Sequence, residues 1–189
     1  MVKRKSIDWS HVDDILRNTD VIVSHNASFD RVFIDRNSAV SPDSVWACSI
    51  NDINWLQMGF TSTKQELLCH WHGFYFDAHR AMNDVDALIH LLTHSHYNGD
   101  RPVLELIKSS KNPVYIIKAI NFPYDEVKKD KLKANGYQWN GTDKIWFKMV
   151  SFTELENEKE WLTGVIYETY FNGLVEEINI VDKLSLIHI

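Results

Sequence analysis

Cysteine is scarce in this chain of 189 residues: only Cys48 and Cys69 occur, outside any Cys-x-x-Cys spacing. That excludes a disulfide framework and a zinc ribbon and makes a reducing cytosol the default setting, so a cytoplasmic protein is expected. No apolar run approaches the roughly 20 residues a membrane helix needs. The start Met-Val-Lys-Arg-Lys runs into the polar stretch Ser6 to Asp14 rather than an apolar core, so a secretory signal is not expected. Glycine-rich phosphate loops, serine-nucleophile elbows and His-Asp dipeptides are missing, as are internal repeats and low-complexity tracts. What is present is a hydrophobic fraction of 44% with seven Trp, nine Phe and seven Tyr, enough apolar surface for a packed core.

The net charge of −6 is an average over unlike blocks. Residues 1–100 carry −5, residues 101–150 carry +5 and residues 151–189 carry −6. The sign changes near the turn-rich Asn98-Gly99-Asp100-Arg101-Pro102, where a domain boundary is expected. This divides the chain into 1–98, 101–183 and a tail, 184–189.

Hydrophobic spacing predicts helices at Val12–Arg17, Ala27–Asn37, Thr63–His70 and Ala81–His96 in the first part, with a buried strand Asp20–Ser24 and a second near Val45–Ile50. Phe29, Val32 and Phe33 recur at helical spacing, as do Val85, Leu88, Ile89 and Leu92, and Phe29 reads as core. Strands alternating with helices favour an α/β layer architecture. The second part reads as a small α+β unit. It has a short helix Val103–Ser109, a strand Val114–Ile120 and a Lys-rich helix Tyr124–Ala134 stopped by Asn135-Gly136. A hairpin about Asn140-Gly141 joins Tyr137–Trp139 to Lys144–Met149, and a long acidic helix Phe152–Asn172 leads to a strand Val175–Ile180.

Two aspartates sit on apolar helical stripes where carboxylates need a reason. Asp30 shares its face with Phe33 and Ile34, and Asp84 aligns with Leu88 and Leu91. Asp35, able to pair with Arg31, reads as a surface charge, and Asp86 lies about 200° round from Asp84. Paired inward carboxylates suit hard divalent cations, which can clamp the attacking and leaving oxygens of a phosphoryl transfer. His79, on the loop before Asp84, is placed to act as general base. A first-turn carboxylate also suits the helix macrodipole, so spacing alone leaves both readings open.

His25-Asn26-Ala27-Ser28-Phe29-Asp30 after an apolar strand, followed some fifty residues later by His79-Arg80-Ala81-Met82-Asn83-Asp84 opening a helix, resembles the second and third motifs of the DEDDh 3′–5′ exonucleases. The likeness is to epsilon-type proofreading subunits of bacterial DNA polymerase III and their stand-alone relatives. It covers residues 6–97 and, more loosely, the second unit through Gly136-Tyr137-Gln138-Trp139 and Ile145-Trp146-Phe147-Lys148. The resemblance implies a ribonuclease H-like fold, two Mg²⁺ or Mn²⁺ ions, and removal of nucleotides from a DNA or RNA 3′ end, with a polymerase as a conceivable partner. It makes Asp30 and Asp84 metal ligands and His79 the catalytic base, and it has His25, Asn26 and Phe29 shape the substrate side. Asn26 is equally suited to cap the helix that follows.

The family's other two carboxylates come from an Asp-x-Glu motif on the first strand, and no Asp in this chain is followed two residues later by Glu. The expectation is therefore an exonuclease domain lacking its first strands, inactive alone, from a longer enzyme or kept as a binding module. The last six residues, Leu184 to Ile189, resemble a translated transposase adapter, native tail being the alternative. Within 101–150, Lys128, Lys129, Lys131 and Lys133 interleave with Trp139 and Trp146. Cations for phosphates with aromatic stacking platforms suit single-stranded nucleic acid, and a non-catalytic module of that kind is the alternative function. A solvated helix face over a hairpin core explains the same pattern. Cys69-His70-Trp71-His72 lacks the ligand spacing of a zinc site, and His90 with His94 reads as helix surface.

Overall fold

A computed structural model describes residues 6–95 and 101–185. It is a mixed α/β protein of two compact units, residues 1–111 and 112–189. No helix among the described residues is long and apolar enough to cross a membrane.

The first unit opens with α1 (Trp9–Arg17), which starts three residues before the sequence pattern suggests because the Asp8 side chain accepts from His11 N at 3.2 Å. Strand β1 (Ile22–Ser24) leads into α2 (Ala27–Asp35) and returns to β2 (Trp46–Cys48), which pairs with β1 in parallel, Ile22 opposite Trp46 and Ser24 opposite Cys48. These two strands are the whole sheet of this unit among the described residues. Helices α3 (Gln65–Trp71), α4 (Ala81–Thr93) and α5 (Pro102–Ser110) follow; α5 has its proline at the position that needs no N–H donor. Leu68, Leu88, Leu91, Leu92 and Leu106 join Ala47, Ile53 and Trp55 in one core.

The boundary therefore moves. Helix α5, expected to open the second unit, packs with the first: Leu106 is fully buried in its core, Glu105 accepts from Asn54 N at 2.8 Å and Ser109 Oγ donates to Asp52 at 2.8 Å. Helix α4 ends at Thr93, short of the expected His96: His94 turns to extended backbone and Ser95 is not helical, while His96 lies outside the described residues. Its buried stripe is Ala87, Leu88, Leu91 and Leu92, while Val85 and Ile89, expected on the core side, are exposed.

The second unit is an antiparallel sheet of β3 (Val114–Ala119), β4 (Gln138–Asn140), β5 (Ile145–Ser151) and β6 (Leu174–Ile178) in the order β4-β5-β3-β6. Alternation puts Ile117, Ala119, Trp146 and Val150 on the face that packs against α6 (Glu126–Ala134) and α7 (Leu155–Leu162). Helix α6 is capped by Asp125, which accepts from Lys128 N at 2.7 Å. It stops at Gly136, whose φ of 85° lets Gly136 N reach Lys133 O at 3.0 Å and Tyr137 N reach Leu132 O at 2.9 Å, the two bonds of a Schellman motif.

The hairpin forms where expected, but with a longer turn. Asn140 Oδ1 accepts from Thr142 N and Asp143 N at 2.9 and 3.1 Å, and Lys144 takes the left-handed conformation instead of a two-residue Asn-Gly reversal. The long acidic helix is also shorter than its pattern. After Leu162 it widens into a π turn, Thr163–Tyr167, ended by Glu168 at φ 61°. That widening sets the Tyr167 hydroxyl to donate to Ile120 O at 2.7 Å and accept from Ile120 N at 3.2 Å. Past it, Gly173 permits a close approach: a Cβ there would lie 2.6 Å from Lys118 O and 2.8 Å from the Phe171 ring. Lys183 and Leu184 are buried in a short 3₁₀ turn, and the last four residues of the tail lie outside the described residues.

Candidate active site

Strand β1 delivers Ser24, His25 and Asn26 to the start of α2. Asn26 occupies the cap position in a left-handed conformation, φ 67°, and makes no side-chain cap bond; its Oδ1 accepts instead from Ser28 Oγ at 3.2 Å. The capping role is thus not taken up, and the residue serves the backbone reversal, which asparagine tolerates better than most. The His25 ring packs inward, Nδ1 2.7 Å from Ser49 Oγ. Burial pulls its pKa down, against a smaller opposing effect from the Thr63 backbone and the Asp30 charge, which favours the neutral ring.

One turn into α2, the half-buried Asp30 carboxylate accepts from Ser24 Oγ. It faces a hollow of about 310 Å³ shared with Ile7, Trp9, Val12, Phe29, Phe33 and Ile34. The expected common face of Asp30, Phe33 and Ile34 is therefore present, but it is open. Phe29, read as core, is 77% exposed, and Phe33 is 56% exposed. Asp35 does pair with Arg31, Oδ2 to Nε at 3.1 Å, yet it is no simple surface charge. Arg31 is 2% exposed, and Asp35 Oδ1 also accepts from Ser41 Oγ at 2.5 Å.

The second constellation is the turn into α4. His79 adopts φ 64° and donates its N–H to Asp84 Oδ1 at 3.1 Å. Around them, Arg80 Nε meets Asp77 Oδ2 at 2.7 Å, Asn83 Nδ2 donates to Asp77 O at 3.0 Å, and Gln65 Nε2 donates to Asp84 O at 2.6 Å, tying α3 to α4. The imidazole of His79 is 94% exposed, with Nε2 3.7 Å from Glu66 Oε1. It borders a groove of about 390 Å³ that also holds His70, Tyr75 and Asp77. Neither Glu66 nor Asp77 lies on an apolar stripe that would mark it in the sequence; Asp77 is two residues before His79, and only folding brings Glu66 beside it.

Asp30 and Asp84 offer the hard oxygens that Mg²⁺ or Mn²⁺ prefer. Among the described residues, however, no three His, Cys, Asp or Glu side chains converge as a metal-holding group, and two carboxylates are too few for a pair of dications. The residues present do not by themselves fit the two-ion centre. Cys69 is buried, and its surroundings push the thiol up to about 12, which disfavours the thiolate a zinc site would need. His90 is exposed on α4, its ring 4.1 Å from that of Phe74 and 5.5 Å from that of His94.

In the second unit the lysine run separates. Lys128 is 8% exposed, its Nζ 3.6 Å from Glu168, whereas Lys131 and Lys133 are exposed and Lys129 is paired with Glu126. Trp139 is half exposed and stands directly across from buried Trp146, ring centroids 5.3 Å apart.

No protein-family model, curated protein or solved structure matches this chain.

Proposed function

We propose that the first unit carries part of the active site of a DEDDh-type 3′–5′ exonuclease with a ribonuclease H-like fold, acting on the 3′ end of DNA or RNA. The observation that supports this most is the turn into α4, where His79 and Asp84 are joined through one backbone hydrogen bond while the imidazole projects into solvent beside a groove. A general base needs that combination: a fixed main chain and a ring free to reach a water or hydroxyl. Two further features agree with it. A two-stranded parallel sheet is an unusual unit by itself, since parallel strands normally lie inside larger covered sheets. The hollow beside Asp30 is walled by exposed Phe29 and Phe33 as though a further layer belongs there.

In this reading His79 is the base, Asp30 and Asp84 supply half of the acidic ligands, and His25 with Asn26 shapes the floor. The family's other two carboxylates have no counterpart among these residues, and in this reading the chain alone does not hydrolyse nucleic acid. The test is degradation of a 5′-labelled oligonucleotide in Mg²⁺ by the chain extended at its N-terminus with a segment that supplies an Asp-x-Glu strand. Stepwise 3′–5′ shortening that is lost in Asp84→Asn and in His79→Ala is expected; undiminished rates in either variant remove the role assigned to it.

A further inference from the structure

The second unit holds a groove of about 450 Å³ between the edge strand β4 and helix α6, lined by Tyr124, Lys129, Lys133, Trp139 and Trp146. We propose that this groove binds single-stranded nucleic acid, one base stacking on Trp139 and the adjoining phosphate held by Lys133. The assignment stands on this unit alone and does not depend on the nuclease reading of the first.

Trp139 and Trp146 are cross-strand partners and so share the face turned toward α6. Trp146 is spent on the core at 6% exposure, whereas Trp139, at the sheet edge, leaves half its surface open. Tyr124, 60% exposed, adds a second open ring. Lys129 and Lys133 stand four residues apart on α6 and therefore project on one side of it. Glu126 engages Lys129 and accepts from the Tyr124 hydroxyl at 3.1 Å, while Lys133 has no ion-pair partner among the described residues. The groove thus offers an open indole face beside an exposed cation; its lining holds no carboxylate, although the neighbouring Glu126 interacts electrostatically with Lys133.

That pairing matches a nucleotide unit, a flat π-face joined to an anion. Duplex bases are stacked on one another and withhold that face, so the fit is to a single strand. The volume lies within the roughly 300–1,000 Å³ typical of small-ligand sites, room for one base and its phosphate rather than a helix.

The experiment is fluorescence anisotropy of a fluorescein-labelled oligothymidylate titrated with the full 189-residue chain in EDTA, which keeps any nuclease silent, at about 50 mM salt. Saturable binding is expected. Trp139→Ala should weaken it at least about fivefold and Trp139→Phe should restore most of the loss, in line with stacking. Lys133→Glu should weaken it and lower the slope of log K against log salt by about one. Lys133 is exposed, so its substitution reads binding without disturbing the core. The proposal is overturned by absence of saturable binding at low salt, or by Trp139→Ala and Lys133→Glu binding as the unaltered chain does. It also falls if Asp30→Asn or Asp84→Asn abolishes binding while the groove variants do not, since the strand would then sit on the first unit. Displacement by free thymidine monophosphate at the same nucleotide concentration would assign the groove to a mononucleotide and overturn the strand.

Discussion

The backbone N–H of His79 donates to Asp84 Oδ1 at 3.1 Å, so the carboxylate that opens α4 also fixes the turn before it. Asp84→Ala removes the acceptor and is expected to destabilise the first unit by about 1 kcal/mol, as loss of a capping carboxylate does. Asp84→Asn keeps an oxygen at that position and is expected to unfold nearly as the unaltered chain. Urea denaturation of both variants measures the difference; equal losses would mean that the charge, not the hydrogen bond, carries the effect.

Asp13 is held below its usual carboxylate range, chiefly by the Ser38 hydroxyl, with help from the backbone of Ala39. A depressed folded pKa contributes stability that is present above the unfolded value, about 3.9, and is lost as pH falls through the folded one. Asp13→Asn should therefore cost stability at neutral pH and show a flatter decline below about pH 4. Thermal melts across that range decide it, and parallel acid profiles would refute the assignment.

Leu106 sets the boundary between the units. Leu106→Ala is expected to cost about 2–5 kcal/mol in the first unit, as deletion of a fully buried leucine does. A chain ended at Lys111 should unfold with a sharper transition than one ended at Asn98, which discards α5. Identical transitions by circular dichroism would return α5 to the second unit.

The Cys69 thiol, pushed up to about 12 by burial, is almost wholly protonated at neutral pH, and the protonated form is not the nucleophile. Native chain should resist iodoacetamide at about pH 8, while urea-unfolded chain is alkylated at both cysteines. Peptide mass mapping reports the sites; rapid native labelling of Cys69 would contradict its burial.

Periodicity in the sequence located the strands flanking α2, the α4 helix, the β4–β5 hairpin and the Asn135-Gly136 stop, because each rests on short-range rules. It also put Asp30 and Phe33 on one side of α2. What it could not supply is what covers a face. A helical stripe has the same spacing whether it meets a core or solvent, and so Phe29 reads as buried although it is exposed. Lys128 shows the converse. Within a run of lysines nothing marks the one whose stem enters the core and whose ammonium meets Glu168, forty residues on. The π turn at Thr163–Tyr167 is likewise invisible locally, since the contact that accompanies it is with Ile120. His79 and Asp84 were legible as a pair; Glu66 beside them was not, because α3 and α4 meet only on folding.

The crowding at Gly173 reaches beyond this one molecule to the variants it can tolerate. Since even a methyl group would collide with main-chain oxygen, a saturation library read out for folded protein should be nearly empty of substitutions at that codon. At Gly164 no atom lies within 4 Å of the missing Cβ, so many residues should survive there. Two glycines that look alike in the sequence thus differ in how much mutational drift each permits.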